Sequence, residues 1–256
     1  MAVRKPTTTR TLLAAGGAAL LALTVAGCGG TDASEAPVEK KSFAFSGKTL
    51  TVRGDNSRLE LVPADVKDIE VERQVDGWVF LGGGPHAVWE LTGNTLKLQV
   101  ECDGLASDCQ GRHTLKVPRG VAVTIENDNG SVHATGFDTD LKVTSDNGAI
   151  NLRDVRGKLD LESDNGAIKG QGIATKSVTA KSDNGKIELA FSAVPDLVDG
   201  QSNNGAIRLT LPKSQYKVET RTDNGKVTVD VPKSDASTHL VKARTDNGEV
   251  TLQSAN

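Results

Sequence analysis

Thr144-Ser145-Asp146-Asn147-Gly148-Ala149-Ile150 and Glu162-Ser163-Asp164-Asn165-Gly166-Ala167-Ile168 are two copies of one pattern. The copies continue on both sides. The central asparagines are Asn129, Asn147, Asn165, Asn184, Asn204, Asn224 and Asn247, and the step between them is almost constant, widening toward the C-terminus. A self-similar period of roughly 20 residues signals a stack of equivalent structural units.

Aligned on the asparagine, position n, the copies agree at several other places. Position n−6 is always aliphatic (Val123, Leu141, Leu159, Val178, Val198, Val218, Val241). Position n−2 is small and polar (Asn127, Ser145, Ser163, Ser182, Ser202, Thr222, Thr245), n+1 is always glycine, and n+3 is always Val or Ile. Each unit therefore reads as a short strand of period-two alternation, an Asx-Gly bend and a second short strand. No helical periodicity is present.

Two folds satisfy this pattern. Each unit is either one coil of a β-solenoid or a hairpin closed at Asn-Gly, a strong two-residue turn signal. Position n−1 tolerates exchange, being Asp in six copies and Asn203 in one, whereas n is never anything but Asn. A bend alone would accept Asp at n. A column of stacked amides would not, because like-charged carboxylates repel. Counting in twos from n−6 also places n−2 and n inward. The expectation is an all-β, single-domain β-solenoid (β-helix-like) of about 18–20 residues per coil with an internal Asn ladder.

The template extends backward to Asn56, with Leu50 at n−6, Leu59 at n+3 and Ser57 in place of glycine; the match near Asn94 is looser. Residues 43–120 thus read as irregular N-terminal coils and 121–256 as regular ones, terminal repeats being atypical because they cap the core. At roughly 20 residues per coil the expectation is ~10–11 coils.

Arg4, Lys5 and Arg10 precede an uncharged apolar stretch that runs from Leu12 to Ala26, and Val25-Ala26-Gly27-Cys28 has the form of a lipobox. Residues 1–27 are expected to be a lipoprotein signal peptide and Cys28 the lipid attachment site. Residues 28–42, small and polar, read as a flexible linker. The expected location is the cell membrane, lipid-anchored, facing the extracellular side. The expected partners are the membrane, through the lipid on Cys28, and an unspecified envelope or surface ligand, with the protein a monomer.

The net charge of −3 becomes about −6 once residues 1–27 are removed, which argues against a nucleic-acid partner. With Cys28 lipidated, Cys102 and Cys109 remain and are expected to pair as a disulfide in an oxidising compartment. His86, His113, His133 and His239 are scattered, without metal-ligand spacing, and read as surface or capping residues. No catalytic motif and no metal or cofactor site is expected. The aspartates at n−1 leave two alternatives open: a β-helix polysaccharide lyase or hydrolase, or Ca²⁺ binding through the Asp column. Trp78, Phe80 and Trp89 flank Gly82-Gly83-Gly84 and are read as a cap on the N-terminal core, with an interaction loop as the other possibility.

The run Leu115-Lys116-Val117-Pro118-Arg119-Gly120-Val121-Ala122-Val123, followed by the Asp-Asn-Gly repeats, resembles the putative-adhesin domain family of unknown function over roughly residues 43–256. The resemblance implies a β-solenoid in a bacterial cell-envelope lipoprotein and brings no catalytic residues with it. The expected role is a non-enzymatic, adhesin-like or envelope interaction scaffold.

Overall fold

In the computed structural model, residues 33–255 are described. The proposed signal peptide and Cys28 lie outside them. Each repeat is one flattened coil. In the Asn147 coil, Leu141–Ser145 lies in one sheet, the bend at Asp146, Asn147 and Gly148 crosses over, and Ile150–Arg153 lies in the other sheet. Neighbouring coils pair in parallel and in register, with Leu141 opposite Leu159 and Val123, and Ile150 opposite Ile168 and Val132. The result is a β-solenoid of two facing parallel sheets.

The core follows from the alternation. Leu141, Val143, Ile150 and Leu152 point between the sheets and are buried, as are their counterparts in the adjoining coils. Burying each such side chain contributes roughly 1.5–3 kcal/mol. The edge opposite the bends is closed by Phe137, Val155, Ile173, Phe191 and Leu211, which are also buried.

One sheet has 10 strands and the other 11, and together they contain nine coils among the described residues. The order of the coils departs from the expectation that successive windings superpose. From one end it runs Asn224, Asn247, Asn204, Asn184, Asn165, Asn147, Asn129, Asn56, and then the coil of Thr95–Cys102 and Ala106–Pro118. The last coil in sequence (Leu240–Asn247, Val250–Ser254) is therefore inserted between the Asn204 and Asn224 coils. The first (Thr49–Asp55, Ser57–Ala64) is likewise inserted between the Asn129 coil and the coil that follows it in sequence. Both terminal coils are interior rungs, and the penultimate ones form the ends.

At the N-terminal end the remaining strands run antiparallel. Pro85–Thr92 pairs with Thr95–Cys102, Ile69–Phe80 pairs with Ala106–Pro118, and Glu39–Phe43 pairs with Ile69–Phe80. Asn94 lies in the two-residue turn between Thr92 and Thr95, the one place where the hairpin reading holds, and this explains its loose fit to the template. Residues 33–42, expected as linker, belong to the fold: a 3-10 turn at Ala33–Glu35 leads to a strand that starts at Glu39. A disulfide joins Cys102 to Cys109. No helix among the described residues is long and apolar enough to cross a membrane.

Candidate functional site

The bends form one continuous edge along the stack, and their geometry accounts for the repeated residues at n−2, n and n+1. The strand before each bend ends at n−2 or just after it, and the n−2 side chain turns inward: Ser145, Ser163, Ser182, Ser202 and Thr245 are buried. Each of these serine hydroxyls accepts from the n+1 glycine N–H of its own bend, as in Gly166 N to Ser163 Oγ at 2.9 Å. Ser163, Ser182, Ser202, Thr222 and Thr245 also donate to the n+1 glycine carbonyl of the neighbouring coil. A buried column of hydroxyls thus satisfies bend backbone that would otherwise be orphaned.

The asparagines form a ladder, but on the outside. Nδ2 of Asn147 donates to Oδ1 of Asn129 at 2.9 Å, Asn165 to Asn147 at 2.9 Å, Asn184 to Asn165 at 2.9 Å and Asn204 to Asn184 at 2.9 Å. The run continues through Asn247 to Asn224 at one end and from Asn129 to Asn56 at the other. All seven repeat asparagines are exposed, which corrects the expected inward placement. Period-two counting fails here because n−1, n and n+1 form a bend, and alternation holds only within a strand. The amide is required at n for a different reason: it donates to one neighbour while accepting from the other, and a carboxylate cannot donate.

Asn165→Asp is therefore expected to lower stability by only about 1–2 kcal/mol, the loss of a solvated hydrogen bond plus a new charge, rather than the cost of a buried charge. Asp164→Asn, which removes one charge from the exposed n−1 column, is expected to be neutral or slightly stabilising. Urea denaturation midpoints check the pair, and equal losses would contradict an amide ladder.

The n−1 carboxylates line the same edge without converging. Among the described residues, no group of three His, Cys, Asp or Glu side chains is placed to hold a metal ion. Asp128 is held above the ordinary aspartate range, first by partial burial and then by the nearby charges of Asp55, Asp146 and Glu126. In the shallow groove at the Asn224 end, Asp223 meets Arg221 at 2.9 Å, and Glu219 faces Arg244 at 3.9 Å. These carboxylates are ion-paired on solvated strands, not set in opposed positions across a cleft. Pairs such as Arg53–Glu126 and Lys186–Glu188 elsewhere on the sheets are of the same kind and add little stability.

Two further placements differ from expectation. His113, expected at the surface, is fully buried opposite Leu59 and Arg73, and neither ring nitrogen has a partner. Burial, with a smaller contribution from Arg73, lowers its pKa to about 4. Because the folded value lies below the unfolded one of about 6.5, the unfolded chain takes up the proton first as pH falls. Stability is expected to drop by about 3 kcal/mol between pH 6.5 and pH 4 on this account alone, and His113→Leu should remove that part of the acid loss. Unfolding midpoints measured across this range test it.

The aromatic group also divides. Trp89 packs on the core end, 6.5 Å from Phe43 and beneath the Arg73 guanidinium at 4.0 Å. Trp78 and Phe80 do not cap the core; they are exposed. Trp89-Glu90-Leu91-Thr92 alternates as a half-buried strand does, whereas Trp78-Val79-Phe80-Leu81 is a continuous apolar run, which reads as buried and gives no sign of exposure.

Residues 108–255, more than half of the chain, match the Toastrack DUF4097 family. The chain belongs to this family. The Toastrack match spans every regular repeat and the second half of the disulfide-bearing coil. Among solved structures, the chain is similar to a putative cell adhesion protein from Clostridium sporogenes, at 10% identity over 86% of this chain and 99% of that one, with a TM-score of 0.35. It is also similar to a putative adhesin from Bacteroides fragilis, at 11% identity over 86% of this chain and 97% of that one, with a TM-score of 0.36. No curated protein matches the chain.

Proposed function

We propose that this Toastrack protein is a lipid-anchored, non-enzymatic scaffold of the cell envelope, with an adhesin-like or envelope-interaction role. The observation that carries this reading is the use made of the repeat. The n−2 hydroxyls, the n amides and the n+1 glycines are all engaged in holding coil to coil, so the repetition at those three positions is accounted for by structure, and the n−1 carboxylates beside them do not converge on a site. Catalysis requires one asymmetric site, whereas this edge is nearly uniform along its length. The basic segment, the apolar stretch and Val25-Ala26-Gly27-Cys28 support a lipid on Cys28 and an extracellular face.

Labelling of the full chain with radioactive palmitate in a bacterial host, followed by membrane fractionation, tests the anchor. The wild-type chain should carry label and sediment with membranes, and Cys28→Ala should lose both properties. A Cys28→Ala chain that remains labelled and membrane-bound would refute it. Capture of envelope components by the Cys28→Ala chain, with and without the exposed-site changes Leu81→Ser and Leu105→Ser, then tests the scaffold role.

A further inference from the structure

Four apolar side chains stand out of the fold at one place. Strands Ile69–Phe80 and Ala106–Pro118 pair along their whole length, with Phe80 opposite Ala106 and Trp78 opposite Asp108. The neighbouring strands are shorter. Ser57–Ala64 pairs only with residues from Gly111 onward, and Glu39–Phe43 only with residues up to Arg73, so the outer part projects as a two-stranded ribbon. At its tip Trp78 is 53% exposed, Phe80 59%, Leu81 71% and Leu105 81%, the highest values for large apolar residues among those described.

The tip is built to stay there. The Cys102–Cys109 disulfide ties its base, Leu105 N donates to Phe80 O at 3.1 Å, and a Cβ would collide with the Asp103 carbonyl and Val79 at Gly82 and with Val79 and the Phe80 carbonyl at Gly104. Leu81 adopts a left-handed conformation at φ 51°, which costs a bulky residue energy. Exposed apolar surface of this kind, held rigid, marks a contact with something apolar.

The start of the fold indicates what that is. Gln74, on the same strand as Trp78, donates to the carbonyls of Ser34 at 2.8 Å and Ala36 at 2.9 Å. Glu39–Phe43 runs antiparallel to Ile69–Phe80, so the chain traced back toward its N-terminus travels in the direction of Phe80. Trp78 lies four residues beyond Gln74, about 13 Å at strand rise. Cys28 lies five residues before Ala33, a reach of at most about 17 Å. Acyl chains on Cys28 would therefore enter a bilayer within reach of the tip, at most roughly 30 Å away along its surface. Asp103 and Asp108, next to it, favour a neutral lipid surface over an anionic one.

We propose that Trp78, Phe80, Leu81 and Leu105 insert into the headgroup region of the bilayer that holds the Cys28 lipid, as a second attachment that fixes the orientation of the stack. This rests on the lipid-anchor reading. An indole with one polar and one apolar end suits that interface.

The test uses the full lipidated chain, purified from membranes and reconstituted on phosphatidylcholine vesicles. The sequence has two tryptophans, so Trp89→Phe leaves Trp78 as the only indole emitter. On vesicles, Trp78 emission should shift to the blue, lose most of its quenching by iodide and be quenched by phosphatidylcholine brominated near the headgroup. Leu81→Ser with Leu105→Ser, both at exposed sites, should speed transfer between vesicles about tenfold, the equivalent of ~1.4 kcal/mol of lost contact. If the chain floats with the vesicles while Trp78 stays fully open to iodide, the tip proposal falls and the anchor stands. If the chain does not float, both fall. Protection of Trp78 without vesicles, rising with protein concentration, would assign the tip to a second copy of the chain and overturn the proposal.

Discussion

Gly166→Ala is expected to destabilise the stack by about 3 kcal/mol, the upper range for forcing a methylene into a packed site. The reason is spacing, not dihedral angle. A Cβ on Gly166 would fall well inside contact distance of the Gly148 carbonyl in the adjacent coil, and that partner is backbone, which cannot rotate away. Gly148, Gly185 and Gly205 make the same approach to Gly130, Gly166 and Gly185 respectively. The coils would have to part locally, and the bond from Gly166 N to Ser163 Oγ would lengthen with them.

Gly200→Ala supplies the contrast. Gly200 lies inside strand Leu197–Ser202, and a Cβ there would meet Ile207 Cγ2 at 3.5 Å, ordinary van der Waals contact. That change should be neutral or stabilising by about 0.5 kcal/mol, through lower entropy of the unfolded chain. The denaturation midpoint should fall for Gly166→Ala and hold or rise for Gly200→Ala. Losses of similar size would refute the claim that inter-coil spacing demands glycine at n+1.

Truncation of the chain before Leu240 is expected to unfold two coils although it deletes one. Leu240–Asn247 is the strand partner of both Leu197–Ser202 and Lys217–Asn224, and Val250–Ser254 is the partner of both Ile207–Leu211 and Val227–Asp230. Without them the Asn224 coil has no neighbour. Buried Tyr216, at the start of that coil, is hydrogen-bonded within its own segment: its hydroxyl donates to Pro212 O at 2.7 Å, its N–H donates to Pro232 O and its carbonyl accepts from Ser234 N. Hydrogen exchange should show Lys217–Asn224 and Val227–Asp230 as unprotected as a loop, with Ile207–Leu211 weakened beside them. Wild-type protection of those two strands in the truncated chain would contradict this.

The parts of the fold legible in the sequence are those set by local alternation. Burial at n−6, n−4 and n−2 in the regular repeats, the strand–bend–strand unit and the parallel stacking all follow from residues such as Leu141, Val143 and Ser145. Three features escape for physical reasons. Alternation has no meaning across a bend, so Asn147 reads as inward like Ser145 although it faces solvent. Coil order is hidden because each coil carries the same template and would pair with any other. The one trace of it is the step from Asn224 to Asn247, longer than the rest, in which the chain between Asp230 and Leu240 is carried back by one coil. The exposure of Trp78 and Phe80 is not legible, because it depends on how far two antiparallel strands outrun their neighbours.

The inserted terminal coils also govern when the molecule can be completed. The Leu240–Asn247 and Val250–Ser254 rung is synthesised after the Asn224 segment, yet it occupies an inner slot. The Asn224 segment, produced earlier, must wait beside that gap or be displaced to admit the latecomer. The growing chain can close its stack progressively only as far as Asn204, and the far end seals in a single event once Leu240–Asn247 and Val250–Ser254 have emerged.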